Sequence, residues 1–173
     1  MKKILQGIGL SCLALALMTG SDSNAGNGTF ISTATIIAPL AIAKTGGGDD
    51  MTFGSIAASG TLVGTAVLNN ADGVVYNTVQ DAGGTPTSLD VTLTGTSGLT
   101  YAFAATPPAV LSNGAGQTMT LNTFTTDCTG TLPGATEDCQ FGGTLNVGIA
   151  QLAGAYSTAS AGGTAISITV DYN

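Results

Sequence analysis

Two cysteines, Cys128 and Cys139, are the residues whose type and spacing point most directly to a chemical bond. They lie eleven positions apart and flank a loop that contains glycine and proline. In an exported chain such a pair most often forms a disulfide that closes the loop between them. A metal site is disfavoured, because two thiolates without histidine or a second cysteine pair lack the four usual zinc ligands. We therefore predict a Cys128–Cys139 disulfide.

The carboxylates are the other groups that could do chemistry. Asp49 and Asp50 follow three glycines and could hold a calcium ion, but two adjacent acids lack the spaced ligands of a calcium loop, which favours a solvated turn. Glu137 and Asp138 have the same interpretation. Two acids could still meet in space as a glycosidase pair, although no local pattern selects one. The sequence predicts no metal and no cofactor.

Charge excludes further classes of function. The chain has 3 Lys and Arg, 10 Asp and Glu and no His, for a net charge of -7. Its cations are Lys2, Lys3 and Lys44, so no basic patch can neutralise a phosphate backbone, and nucleic-acid binding is not expected. Without histidine, most catalytic triads and zinc sites are also excluded. We do not expect an enzyme.

The N-terminus has the three-part pattern of a secretory signal, assigned to residues 1–25. Lys2 and Lys3 are followed by a largely apolar stretch over residues 4–18, and Ser23 and Ala25 fit the small-residue cleavage rule. A membrane anchor is the alternative, but the stretch is shorter than the roughly 20 residues that a span needs. We expect an exported chain whose mature part has no membrane span.

Apolar residues elsewhere recur with period two, which is typical of half-buried antiparallel strands. Turn clusters of Gly, Asn and Asp separate these segments at intervals of about a dozen residues, which indicates an all-β sandwich in one domain, residues 45–173. Met119 and Leu121 break parity with Phe124, which predicts a β-bulge between them. The predicted strands cover residues 62–68, 74–79, 89–94, 99–104, 119–124, 145–149 and 166–172.

An extended segment, residues 26–44, precedes the Gly-rich loop. It can be the first strand of its own domain, or it can complete the sheet of a neighbouring copy by strand addition. Pro39 has no amide donor, so a division is possible in which residues 29–37 leave the domain and residues 40–43 stay. One face of the segment, as a candidate donor strand, presents Phe30, Ala34, Ile36, Ala38, Leu40 and Ile42.

The last alternating segment of the chain is the second candidate for assembly. Its apolar face consists of Ile166, Ile168, Val170 and Tyr172. An unprotected flat edge promotes aggregation and needs a partner. The alternative is an ordinary last strand.

Four motifs resemble a family of small exported bacterial proteins known only as a domain of unknown function. They are MTFGSI (51–56), FGGTL (141–145), QLAGAY (151–156) and TVDYN (169–173). The layout is in turn similar to the archaic, spore coat protein U-like class of chaperone-usher fimbrial subunits, with an early Phe53-Gly54 element, a Gly-x-Tyr before the last strand and a penultimate Tyr172.

The resemblance to fimbrial subunits implies an incomplete immunoglobulin-like sandwich that a periplasmic chaperone and an outer-membrane usher assemble by donor-strand exchange. Residues 29–42 would then be the donor, and Ile166, Ile168, Val170 and Tyr172 would line the acceptor or chaperone edge. The late position of Cys128 and Cys139 departs from the early disulfide that such pilins commonly carry.

The sequence thus predicts a structural, homopolymeric subunit of a surface filament from a Gram-negative bacterium. One alternative is a monomeric secreted binding module, for example for glycans, whose Phe30, Ile36 and Leu40 contact its own core. The other is a hydrolase with two carboxylates, which requires a concave site and shifted pKa values.

Overall fold

The computed structural model describes residues 29, 31–47, 50–105 and 108–173. The chain divides into two compact units, Met1–Thr35 and Ile36–Asn173. The described residues of the first unit, 29 and 31–35, form no helix or strand, and the described residues of the second unit form strands and no helix. The all-β prediction is therefore confirmed. No helix long and apolar enough to cross a membrane occurs in the described residues. Residues 1–28, which include the predicted signal, lie outside them.

Eleven strands are found in the described part of the chain. In order they are β1 (Ala41–Lys44), β2 (Ile56–Ala57), β3 (Gly64–Leu68), β4 (Val74–Asn77), β5 (Gln80–Asp81), β6 (Leu89–Thr94), β7 (Tyr101–Ala105), β8 (Ala109–Ser112), β9 (Thr118–Thr126), β10 (Thr136–Val147) and β11 (Ile168–Tyr172).

The largest sheet has seven strands and is antiparallel throughout. Its main order is β1-β6-β10-β3-β4, and β9 pairs with β10 while β8 pairs with β9. Two antiparallel pairs complete the fold, β7 with β11 and β2 with β5. This arrangement is consistent with an incomplete β-sandwich.

The longest strand, β10, joins the two halves of the sheet. Its first half pairs with β6 from Thr136 to Phe141, and its second half pairs with β3 from Gly143 to Val147. Gly142 stands at the junction, where a Cβ atom would collide with the carbonyl oxygen of Leu68. Only glycine fits there, so the FGG motif lets one strand pass continuously along two partners.

Two hydrophobic clusters lie along β10, one at each half. The Leu93 cluster contains Val91, Leu93, Tyr101, Leu132, Cys139 and Phe141. The Leu121 cluster contains Phe53, Ala66, Leu68, Val79, Ala109, Leu121, Leu145 and Val147. Both take alternate residues of β10, so the period-two pattern visible from residue 145 onward in fact extends back to Glu137. The core is therefore one continuous face of β10 with two different surroundings.

The predicted bulge in β9 is confirmed. Gly142 pairs with Thr125 and Thr144 pairs with Asn122, so Thr123 and Phe124 together face Gly143. Thr123 has a φ of 52°, which is strained for a β-branched residue and marks the extra residue of the bulge.

Some strand ends differ from the prediction. β4 ends at Asn77 rather than at residue 79, because Thr78 adopts a φ of 65°. β10 ends at Val147, and Ile149 is exposed before the positive-φ Ala150. β11 begins at Ile168 instead of Ile166. In the first two cases, backbone turns interrupt an apolar alternation that the sequence continues.

Candidate functional site

The burial of apolar side chains changes at Pro39. On its C-terminal side, β1 pairs antiparallel with β6, and Leu40 and Ile42 pack against the Leu93 cluster. On its N-terminal side, Ile36 is 96% exposed and Ile37 is 47% exposed. The apolar pattern therefore continues through Pro39 while the burial does not. Phe30 lies outside the described residues, and Ala34 belongs to the first compact unit.

Ala38, the residue before Pro39, is held by two hydrogen bonds, and a third hydrogen bond joins its two partners. Its amide donates to the Thr96 hydroxyl at 2.9 Å, and its carbonyl accepts from the Tyr172 hydroxyl at 3.2 Å. The same Tyr172 oxygen accepts from the Thr96 amide at 2.6 Å. We call these contacts of Tyr172 and Thr96 the Ala38 clamp. They satisfy both backbone groups of the residue that precedes Pro39.

Gly95 makes room for the clamp. A Cβ atom on Gly95 would collide with the Tyr172 hydroxyl and would lie 2.8 Å from Cδ1 of Leu132 and 3.0 Å from Cδ1 of Leu40. Real side chains do not approach that closely, so any substitution here must displace Tyr172 or the cluster below it. The clamp therefore depends on a glycine as well as on its hydrogen-bonding residues.

The C-terminal candidates separate between the two clusters. Ile168, Val170 and Tyr172 lie on β11, which pairs with β7, and they pack against the Leu93 cluster. Ile166 precedes β11 and packs against the Leu121 cluster. Of the four residues assigned to an acceptor edge, Ile166 is thus the one beside the cleft described next.

A cleft of about 1210 Å³ borders the Leu121 cluster. Its floor includes Leu121, Leu145 and Val147, which are 2%, 2% and 3% exposed. Half-buried apolar side chains, among them Ile56 and Ile166, surround the floor. The floor of the cleft is apolar, its whole lining mixes polar and apolar surface in similar amounts, and its volume is large enough for several side chains.

Two chain segments form the walls of the cleft, residues 51–58 and residues 151–159. The first wall is bonded to β5 and to Thr87, and the second is bonded to β8 through Ser157 and Ser112. The described backbone hydrogen bonds connect these walls only beyond their ends, where the Ala150 amide donates to the Ser59 carbonyl at 2.8 Å.

Among the described residues, several polar groups at the cleft make ion-pair and hydrogen-bond contacts. Lys44 and Asp50 form an exposed ion pair at 2.9 Å. The Tyr156 hydroxyl donates to the Leu152 carbonyl and accepts from the Gln151 amide. No group of three metal-ligating side chains occurs among the described residues. Asp49, the other half of the calcium hypothesis, lies outside them.

The disulfide between Cys128 and Cys139 is present, so this prediction is confirmed. Glu137, a buried residue of the disulfide loop, accepts two hydrogen bonds. The Tyr101 hydroxyl donates to its carboxylate at 2.7 Å, and the Thr129 amide donates to the same carboxylate at 2.8 Å. Burial raises the pKa of Tyr101, and the bond to Glu137 adds to the rise. Burial would also raise the pKa of Glu137, but the bonds from Thr129 and Tyr101 outweigh it and lower the pKa.

The pairing of acids expected for a hydrolase is not seen at residues 137 and 138. Glu137 points into the Leu93 cluster, whereas Asp138 accepts a hydrogen bond from Thr92 on the opposite face of β10. The lowered pKa of Glu137 is also the reverse of the raised pKa that a general acid needs.

The disulfide between Cys128 and Cys139 fits an exported protein, because disulfides persist in oxidising compartments.

Sequence reasoning missed Thr96, Gly95 and the wall formed by residues 151–159. Thr96 and Gly95 appeared only as members of a turn cluster, and their role depends on the close approach of Tyr172 from the end of the chain. The QLAGAY motif was the available signal for the second wall, since residues 151–156 all line the cleft.

One comparison with known proteins gives a family. The family model described as a domain of unknown function (DUF4402) matches residues 40–172, and the chain belongs to this family. The match begins directly after Pro39. Searches of the curated proteins and of the solved structures returned no significant match.

Proposed function

We propose that this member of the family is a structural subunit of a surface filament, in which the segment before Ala38 enters the cleft of a neighbouring copy. The observation that carries the proposal is the contrast at Pro39: Ile36 is 96% exposed, five residues before β1, which is paired with β6. A fully exposed isoleucine gains about 2–3 kcal/mol when it is buried. The cleft in the same protein offers an apolar place for it.

The segment of residues 29–37 contains nine residues and spans at most about 32 Å when extended. Strand addition would supply main-chain hydrogen bonds, while alternate side chains would contact the apolar floor of the cleft. This floor favours an extended segment that carries apolar side chains.

The resemblance to chaperone-usher subunits supports the same assembly. It implies a periplasmic chaperone that protects the open cleft, an usher in the outer membrane, and a final position at the cell surface. The acidic sequence, with Lys44 its sole cation beyond residue 3, is suited to an extracellular fibre because it offers few sites for trypsin-like proteases.

The test compares two exposed apolar residues in material sheared from cells. Ile36→Asp places a charge on the donated segment, and Val75→Asp places the same charge at a 61% exposed position on β4, away from the cleft. We expect unboiled wild type and Val75→Asp to form a ladder in SDS gels and thin fibres by electron microscopy. Ile36→Asp should give a folded, disulfide-bonded monomer. A wild-type monomer without ladder or fibres would refute the proposal.

A further inference from the structure

The Ala38 clamp and the cleft lie at opposite ends of β6. The clamp uses Thr96, which lies two residues beyond the end of β6. Leu89, the first residue of β6, lines the cleft. A six-residue strand separates its ends by about 17 Å. Measured along β6, the point where the segment leaves the domain is therefore about that far from Leu89 at the cleft of the same chain.

Chain length decides which cleft the segment can reach. Ile36 is two residues from Ala38, so its Cα atom lies at most about 7 Å from that of Ala38. This distance is shorter than the separation of about 17 Å along β6. While Ala38 is held, Ile36 cannot reach the Leu89 end of the cleft of its own chain.

We propose that Tyr172 and Thr96 are positioning residues for assembly, because by fixing Ala38 they direct Ile36 to the cleft of a second copy. The inference rests on the proposed function and adds the geometry of the joint. A single residue, Ile37, connects the clamped Ala38 to Ile36. A joint this short, with both backbone groups of Ala38 bonded, holds successive subunits in one relative orientation.

The partner in this joint is a second copy of the chain. Pairing of β1 with β6 and burial of Leu40 retain the chain up to Pro39, and the clamp extends the fixed region by the one residue that sets the exit direction. Pro39 restricts the backbone of Ala38 as well, since the residue before proline is confined to extended conformations. Two hydrogen bonds to Ala38 and the steric restriction that Pro39 imposes on Ala38 together fix the direction in which the chain leaves the domain.

The first experiment distinguishes insertion within a chain from insertion between chains. Ile36→Cys and Ala155→Cys place thiols on the segment and on an exposed position of the cleft wall, and oxidation links them only where the two positions come within disulfide distance. We expect covalent ladders that survive boiling without reductant, and a mixed dimer when chains carrying one substitution each are combined. A cross-linked band of monomer mass would overturn the inference.

The second experiment tests the clamp itself. The double variant Tyr172→Phe, Thr96→Val removes both clamp hydroxyls, and Tyr101→Phe removes a hydroxyl from the same cluster without affecting Ala38. The clamp variant should still form SDS-resistant ladders, but its fibres should be at least twofold more flexible, measured as persistence length by electron microscopy. Tyr101→Phe should leave the persistence length unchanged.

The outcomes separate the two proposals. Clamp-variant fibres as stiff as wild type, with only a lower melting temperature, would show that the clamp is merely structural and would overturn the inference while the filament proposal stands. Absence of ladders, fibres and every cross-link in the wild-type background would refute the filament proposal and the inference together.

Discussion

The Leu93 cluster and the Leu121 cluster use the same strand, β10, and the same inward alternation, but they are completed differently. At the Leu93 cluster, β1, β7 and β11 and a disulfide-bonded loop surround the core. At the Leu121 cluster, two walls that are bonded to different strands leave a cleft between them. The comparison teaches that one end of the domain is closed by its own chain, while the other end keeps an open cleft.

The largest expected effect compares a deletion in each cluster. Leu93→Ala should lower the free energy of unfolding by about 3–5 kcal/mol, since Leu93 is fully buried and its surroundings are tied by a disulfide. Leu121→Ala should cost about 1 kcal/mol less, because the neighbouring cleft lets the site relax. Urea unfolding measures both, and an equal or larger cost at Leu121 would remove the distinction between the clusters.

Removal of the disulfide should give the next effect. Replacing Cys128 and Cys139 by serine opens the loop between two residues that are 11 positions apart. This should lower the free energy of unfolding by about 2–4 kcal/mol. The loss should concentrate at the Leu93 cluster, measured as faster amide exchange in β7 and β11 than in β3. Uniform acceleration throughout the sheet would contradict the separate completion of the two ends.

Titration of Glu137 should produce a smaller, pH-dependent effect. Its pKa is below the usual value of about 4.5 in the folded state, so its stabilisation is present above that value and is lost as pH falls through the lower folded pKa. Glu137→Gln should remove about 1–2 kcal/mol at neutral pH and flatten the acid limb of stability below about pH 4.5. An unchanged acid limb in the variant would show that another carboxylate is responsible.

Tyr101 should act at the opposite end of the pH range. Its pKa is above 10.0 in the folded state, so the unfolded chain loses this proton first and stability falls as pH rises above that value. Because Tyr101 and Glu137 share one hydrogen bond, Tyr101→Phe should weaken both pH limbs. Chemical denaturation at pH 9 to 11 is the measurement, and a basic limb that persists in the variant would exclude Tyr101 as its cause.

The smallest effect compares the two sides of Pro39. Leu40→Ala should cost about 1–2 kcal/mol because Leu40 packs on the Leu93 cluster. Ile36→Ala should change monomer stability by less than about 0.5 kcal/mol, since Ile36 is exposed. Similar costs at both positions would show that residues before Pro39 also belong to the folded core.

The sequence predicted the strands whose apolar alternation is undisturbed, such as β6 and the second half of β10, together with the disulfide and the bulge in β9. It did not predict β8 or the short β2 and β5, because two to four residues carry too little periodicity to be recognised. The cleft could not be predicted either, since its walls are 100 residues apart in the chain.

The candidate site shows the same limit. Pro39 and the exposed apolar face before it were readable from local rules, whereas the hydrogen bond from Tyr172 to Ala38 joins residues 134 positions apart. Tyr172 was noticed only because a penultimate tyrosine is part of the resemblance. Its bond to Ala38 depends on the antiparallel pairing of β11 with β7, which places Tyr172 beside Gly95.

The pairing of β1 with β6 also has a mechanical consequence. A pull on the chain at Ala38, directed along β1, acts perpendicular to the hydrogen bonds that join β1 to β6, because antiparallel bonds run across their strands. Under such a load all bonds of the pair are sheared together, whereas a pull across the strands would break them one after another. Tension along the chain would therefore meet β1 in its most resistant direction.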